Sequence, residues 1–262
     1  MSEIKTDHLK ISYGDAIVVP DLSIALHRGG VTALIGANGS GKSTILRTIS
    51  RLLSPTQGVV CLDGRDIAKL KTKDLARRLA FLPQSQEAPS RITVRELIAY
   101  GRYPYQGLFK PLSSQDQTAI DWALTITGLE PLAYRSVDTL SGGERQRAWI
   151  AMALAQQTQV LLLDEPTTYL DIRHQQEILL LVRRLNREQG LTVGWVLHDL
   201  NQAAMFSDWL ILLRQGQVYA QGRSEQVMKT EILRETFGTE LVIVPHPQTG
   251  KPMCLHSVAE EF

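Results

Sequence analysis

Three short stretches of this chain carry residue types whose spacing suits work on a polyphosphate. Gly36-Ala37-Asn38-Gly39-Ser40-Gly41-Lys42-Ser43-Thr44 satisfies G-x-x-x-x-G-K-[ST]. Its glycines let the backbone wrap closely, so that successive N–H groups can point at one anion. A helix running on from Gly41 would aim its free N–H groups and the positive end of its dipole at the same place. Lys42 would then reach the β- and γ-phosphates, and the Ser43 hydroxyl would ligate Mg²⁺. The second stretch, Leu161-Leu162-Leu163-Asp164-Glu165-Pro166, ends an apolar run in two adjacent acids. That arrangement is costly unless the acids meet a cation or do chemistry. Asp164 suits Mg²⁺, directly or through water. Glu165 suits orienting and deprotonating an attacking water, a role that contributes about 10²- to 10⁴-fold to rate. The third, Leu140-Ser141-Gly142-Gly143-Glu144-Arg145-Gln146-Arg147, opens a helix with a hydroxyl and bare backbone N–H groups. One chain therefore holds two phosphate-seeking helix starts.

Each stretch has a plainer reading: a glycine-rich turn, a capped loop, an ordinary capped helix. The elements around them favour the chemical one. Residues 31–35 form a short apolar run ending in glycines, as a buried strand would, and residues 45–53 follow with helical spacing before Pro55 and Gly58. Residues 160–163 read as a second buried strand closing on Asp164, and residues 192–197 as a third closing on His198. Residues 4–12 alternate as a half-exposed strand does. Apolar strands separated by helix-length segments imply a mostly parallel sheet with covered faces. The polar residues of interest fall just past strand C-terminal ends, where open α/β sheets bind ligands. Residues 87–155 are mainly helical in pattern, with breaks at Gly101 to Pro104, Pro111, Gly128 and Gly142, and read as an inserted helical sub-lobe.

Bulk composition narrows the class. A chain of 262 residues, 44% hydrophobic and 21% charged, suits one sizeable α/β domain. With 28 basic against 27 acidic residues the net charge is +1, without the basic excess of a nucleic-acid binder. Cys61 and Cys254 lie far apart without companions at metal spacing, and read as reduced, partly buried thiols. No apolar stretch approaches the roughly 20 residues that span a bilayer. The opening Ser2, Glu3 and Lys5 lack the apolar core of a signal peptide. The expectation is a soluble cytosolic protein whose membrane contact runs through a partner.

The Leu140 to Arg147 string resembles the signature motif of the ABC ATPases, and the resemblance covers nearly the whole chain. The order matches too: Tyr13, the glycine turn, Gln84, the signature, Asp164-Glu165, Leu170-Asp171, then His198. The resemblance implies an α/β P-loop NTPase fold of ABC ATPase type. Its parts are a mostly parallel RecA-like core sheet, a small antiparallel β lobe and an inserted helical sub-lobe. It implies a single ABC ATPase domain over residues 1–262, without an extra C-terminal regulatory domain. ATP and Mg²⁺ are the implied ligands, with Tyr13 stacking on adenine and Ser43, Gln84 and Asp164 around the metal. The absence of an Asn/Thr-Lys-x-Asp guanine clamp agrees with ATP. Lys42, Gln84, Glu165 and His198 form the implied catalytic set, with Gln84 also sensing the membrane partner and His198 contacting the γ-phosphate. The resemblance also implies that Asp171 belongs to the D-loop at a dimer contact. By the same resemblance, Leu140, Ser141, Gly142, Gly143 and Glu144 would close over the nucleotide of a second subunit. The implied partners are a second copy or a paralogue, two transmembrane permease subunits and, indirectly, a solute-binding protein, at the cytoplasmic face of the inner membrane. Plain alternatives stand beside three of these roles: a strand-end aromatic for Tyr13, a loop residue after Pro83 for Gln84, a satisfied histidine for His198.

Narrower strings are similar to the ferric-siderophore and cobalamin importer branch. They are Phe81-Leu82-Pro83-Gln84, Thr93-Val94-Arg95-Glu96-Leu97, Gly101-Arg102-Tyr103-Pro104 and Thr167-Thr168-Tyr169-Leu170-Asp171, with residues 222–237 and 245–250. Ferric-chelate members are nearest, and cobalamin, heme and metal importers share the strings. Ala37 departs from the usual proline, and Tyr169 from histidine or phenylalanine. Arg102-Tyr103-Pro104-Tyr105 reads either as a surface turn with two packed aromatics or as part of a surface docking a membrane subunit. A DNA-maintenance ATPase would need a long coiled-coil insertion between glycine turn and signature, which the segment is too short to hold. A module binding ATP without hydrolysis sits poorly with Lys42, Asp164, Glu165 and His198 all in place.

Overall fold

The computed structural model describes residues 2–107 and 111–256. They fall into two compact units, one built from residues 2–68 and 192–256, the other from Lys69–Leu191.

The chain opens the first unit with β1 (Ile4–Tyr13), β2 (Ala16–Leu22) and the short β3 (Ala25–Leu26). Both β2 and β3 pair antiparallel with β1, whose inward residues Ile4, Leu9 and Ile11 are buried. Next come β4 (Val31–Gly36), α1 (Lys42–Ile49), β5 (Gln57–Leu62) and β6 (Arg65–Asp66). β5 pairs antiparallel with β1, giving an antiparallel lobe. The helix expected over residues 45–53 thus begins three residues earlier and ends four earlier. Apolar periodicity cannot register a first turn of Lys-Ser-Thr, and Arg51, at φ 62, has already left the helix.

The second unit holds α2 (Thr72–Ala76), β7 (Leu79–Leu82), α3 (Val94–Tyr100), α4 (Ser114–Thr127), α5 (Gly142–Ala155), β8 (Val160–Asp164) and α6 (Ile172–Gln189). β7 and β8 run parallel from Leu79↔Val160 to Leu82↔Leu163. Capping boxes start three of the helices: Thr93 with Glu96, Ser113 with Asp116, Ser141 with Glu144. Each side-chain oxygen accepts from a backbone N–H that the helix start leaves unpaired. Asp116 is also the acid of a buried ion pair, taking the Arg102 Nε–H at 2.8 Å. Arg102 donates further to the Ala155 carbonyl at the end of α5 and lies 4.0 Å above the Tyr105 ring. Burial alone would raise the Asp116 pKa, but hydrogen bonds from the Ser113 hydroxyl, Arg102 and the Ser113 amide hold it below the usual value. The string Arg102 to Tyr105 therefore divides. Arg102 and Tyr105 tie α3, α4 and α5 together, while Tyr103 is exposed and stacks on Tyr100 at 5.1 Å.

The chain then returns to the first unit with β9 (Thr192–Val196), α7 (Leu200–Phe206), β10 (Trp209–Arg214) and β11 (Gln217–Gly222). They are followed by α8 (Ser224–Val227), α9 (Thr230–Phe237), β12 (Leu241–Pro245) and β13 (Pro252–His256). β4 lies between β9 and β10, parallel to both, and β11 adds an antiparallel edge. Covered from both sides, Val31 to Ile35 are buried without alternation. Trp195, the largest fully buried side chain, donates its indole N–H to the Ser207 hydroxyl at 3.0 Å. Among the described residues, no helix is long and apolar enough to cross a membrane.

Candidate active site

In the first unit, β4 delivers the chain into the glycine turn. Gly36 has φ 147, and a β-carbon there would lie 2.3 Å from the Leu213 carbonyl oxygen, so only glycine fits. The turn exposes Ala37, Asn38 and Gly39 and buries Ser40 to Lys42. Gly41 begins α1 at φ 93 without a side-chain cap, and the first turn of α1 holds no acid. Its leading N–H groups and dipole are thus left for an anion. Lys42, only 5% exposed, donates from Nζ to the Gly36 and Ala37 carbonyls, both at 2.9 Å. The Ser40 hydroxyl is buried with no hydrogen-bond partner among the described residues. A cation under the loop, a hydroxyl without a mate and an unopposed helix start make a cradle fit for phosphate oxygens.

His198 and Tyr13 belong to the same unit. β9 pairs with β4 as far as Leu34↔Val196, and the Leu197 N–H reaches the Leu34 carbonyl at 3.4 Å. The strand leading to His198 therefore exits beside the strand leading into the cradle. His198 is exposed and is followed by Asp199, whose carboxylate caps α7 by accepting from the Gln202 N–H at 2.9 Å. Tyr13 ends β1 opposite Ala16, with its ring half-exposed.

In the second unit, β8 carries Asp164 and Glu165 to its C-terminal end, 1% and 9% exposed. Glu165 stands at φ 54, a left-handed conformation that a residue with a side chain adopts only when its surroundings hold it there. Its Oε2 accepts the Gln84 Nε2–H and, at 3.1 Å, the Thr168 hydroxyl. Gln84 arrives on the loop after β7, the parallel neighbour of β8, which is why residues 81 apart in sequence meet. Thr168 escaped the sequence reading as a partner of Glu165, although its place three residues on offered the signal.

Ser141 sits at the N-cap of α5, and its amide and hydroxyl both donate to Glu144 Oε2 at 2.9 Å. The Ser141 amide, then its hydroxyl, hold the Glu144 carboxyl below its usual pKa. Leu140 is buried, Gly142 is exposed, and a β-carbon on Gly143 would lie 2.3 Å from the His174 ring. Asp171 caps α6, its Oδ1 accepting the His174 N–H at 2.9 Å, with the imidazole Nδ1 also at 2.9 Å. His174, absent from the sequence reading, thus seats the start of α5 against the start of α6. Beside it Tyr169 and Ile172 are 97% and 84% exposed.

The family model described as ABC transporter matches residues 19–168, a span that takes in the cradle, Gln84, the signature and the acid pair. The chain belongs to the ABC transporter family. It is an ATPase of that family. This ABC ATPase is 52% identical over 255 residues to the iron(3+)-hydroxamate import ATP-binding protein FhuC of Bacillus subtilis, covering 97% of this chain and 95% of that one. It is 47% identical to the ferric enterobactin transport ATP-binding protein FepC of Escherichia coli, covering 97% and 93%. Among solved structures it resembles an inward-facing metal-chelate type ABC transporter, with TM-score 0.83 and 26% identity, covering 97% of this chain and 96% of that one. A dimeric ATP-binding cassette in a post-hydrolysis state with ADP and Pi is similar at TM-score 0.73 and 29% identity, covering 84% and 98%.

Proposed function

We propose that this ABC ATPase powers the import of a ferric siderophore or related iron chelate. The observation that carries the substrate class is the 52% identity, across nearly the full chain, to the hydroxamate import ATPase. For the chemistry, the carrying observation is Glu165, buried at a strand end and gripped by Gln84.

In this reading Gly36, Ala37, Asn38, Gly39, Ser40, Gly41, Lys42, Ser43 and Thr44 bind the triphosphate, and Tyr13 stacks on adenine. Ser43, Gln84 and Asp164 would hold Mg²⁺, which when bound would supply positive charge to offset that of the triphosphate. With its amide nitrogen on Glu165, Gln84 offers its carbonyl oxygen to a cation. Glu165 orients the water and takes its proton as the water oxygen bonds to the γ-phosphorus and the bond to the bridging oxygen breaks. Lys42 and His198 stabilise the charge on the transferring phosphoryl group. Leu140, Ser141, Gly142, Gly143 and Glu144 of a second copy or a paralogue complete each site. Two ATP molecules hold the pair closed, and hydrolysis removes the bridging charge and releases it.

The subunit works peripherally, at the cytoplasmic face of the membrane, against two permease subunits fed by a solute-binding protein. A groove of about 480 Å³ lined by Arg91, Ile92, Glu96, Tyr100 and Tyr103 suits a short permease helix. Arg102, next to the lining residue Tyr103 in sequence, donates to the Ala155 carbonyl at the far end of α5.

Growth tests the substrate. Cells lacking this chain should fail on a ferric hydroxamate or catecholate as sole iron source and recover with the gene restored, while heme and cobalamin use stays normal. Normal growth on every ferric chelate with loss of cobalamin or heme use would overturn the iron assignment.

A further inference from the structure

The hairpin β12–β13 has no part in the chemistry above, yet it is fastened to the helix that follows His198. Five residue pairs, from Leu241↔His256 to Pro245↔Pro252, set its register. Its turn is closed by the His246 N–H on the Lys251 carbonyl at 2.7 Å and the Gly250 N–H on the His246 carbonyl at 2.8 Å. That turn presents Lys251 to the end of α7, where Nζ donates to the Ala204 carbonyl at 3.0 Å, Met205 at 2.9 Å and Ser207 at 3.5 Å. At the other end of α7, the Asn201 side-chain amide imitates a strand neighbour. Its Oδ1 accepts the Cys254 N–H at 2.6 Å and its Nδ2 donates to the Cys254 carbonyl at 3.1 Å. Burial, and then the nearby Asp199 carboxylate, push the Cys254 thiol up.

α7 has seven residues, too few for a helix to persist unaided. The Lys251 ammonium satisfies carbonyls that its C-terminus leaves unpaired and meets the negative end of its dipole. The Asn201 clasp pins its first turn. His198 lies just upstream, joined to α7 through the capping residue Asp199. Rotation or fraying of α7 therefore moves the imidazole relative to the cradle beside it.

We propose that the hairpin is a brace for His198: Lys251 and Asn201 are positioning residues that hold α7, and through it the imidazole, where it meets the γ-phosphate. This rests on the reading of His198 given under Proposed function.

A double-mutant cycle on the full chain assembled with its permease tests the idea, with kcat and the KM for ATP as readouts. Misplacement by about 1 Å is enough for a loss on the order of 10²-fold. Lys251→Met is expected to lower kcat by about 10- to 100-fold, KM changing less than about twofold, and Lys251→Arg to recover most of the rate. In a His198→Ala background, Lys251→Met should cause no further loss, because the group it positions is gone. An equal loss in both backgrounds, or an unchanged kcat beside a crippled His198→Ala, would overturn the brace while sparing the reading of His198. A fully active His198→Ala overturns both. Should thermal melting show Lys251→Met unfolded, Asn201→Ala is carried through the same cycle and judged by the same outcomes.

Discussion

Glu165 is held from three directions: buried, set at a left-handed φ, and hydrogen-bonded by Gln84 and Thr168 on one carboxylate oxygen. So fixed a carboxylate has little rotamer freedom to lose when it meets water. Glu165→Gln keeps the shape and the hydrogen-bond acceptor but removes the base. We expect ATP turnover, read as phosphate release, to fall by about 10²- to 10⁴-fold while nucleotide affinity is retained. Turnover at the parent rate would remove Glu165 from that role. Motif order placed Glu165 in the sequence, but nothing local says that Gln84 is its partner. Arg102 is a similar case. Its neighbours read as an aromatic surface turn, and only Asp116 and the Ala155 carbonyl make it a buried tie.

Among helix starts, α1 and α5 differ in a way that matters for anion binding. The first turn of α1 holds no acid, whereas α5 closes its own capping box with Glu144. The start of α1 is thus left open to an anion, and the start of α5 is already satisfied by its own side chains. Ser141→Ala should cost about 1 kcal/mol in urea unfolding at neutral pH. The acid limb gives an independent check. Because the folded-state pKa of Glu144 is lowered, its contribution is complete above the unfolded value near 4.5 and fades as pH falls through the folded value. Glu144→Gln is therefore expected to lose stability above pH 5 and to show a shallower decline below it. Identical acid limbs for parent and variant would remove the Glu144 charge as a source of stability. Ser141 and Glu144 three residues apart announce this cap in the sequence, since capping is contiguous chemistry. Helix limits were less legible. α1 began at Lys42 because a left-handed Gly41 launches it, a backbone fact that apolar spacing does not carry.

For the molecule as a whole, the exposed Tyr169 and Ile172 flank Asp171 at the start of α6, close to the signature. We expect these two side chains to be covered when the chain pairs. In the slow Glu165→Gln background, ATP should drive pairing of the chain, seen as a doubled mass by sedimentation. Tyr169→Glu with Ile172→Glu should abolish that pairing and leave binding of ATP to the single chain within about twofold. Pairing that survives both changes would move the contact elsewhere. The sequence by itself determined the chemistry on offer: a cradle, an acid pair, a capped signature and their order along the chain. These depend on backbone freedom, capping and burial over a handful of adjacent residues. Tertiary structure alone decided that Gln84 grips Glu165, that His174 seats α5 on α6, that Arg102 is buried and that Lys251 caps α7. Those pairings join residues far apart in the chain. Strand order and helix packing set them, and neither is written in any one segment.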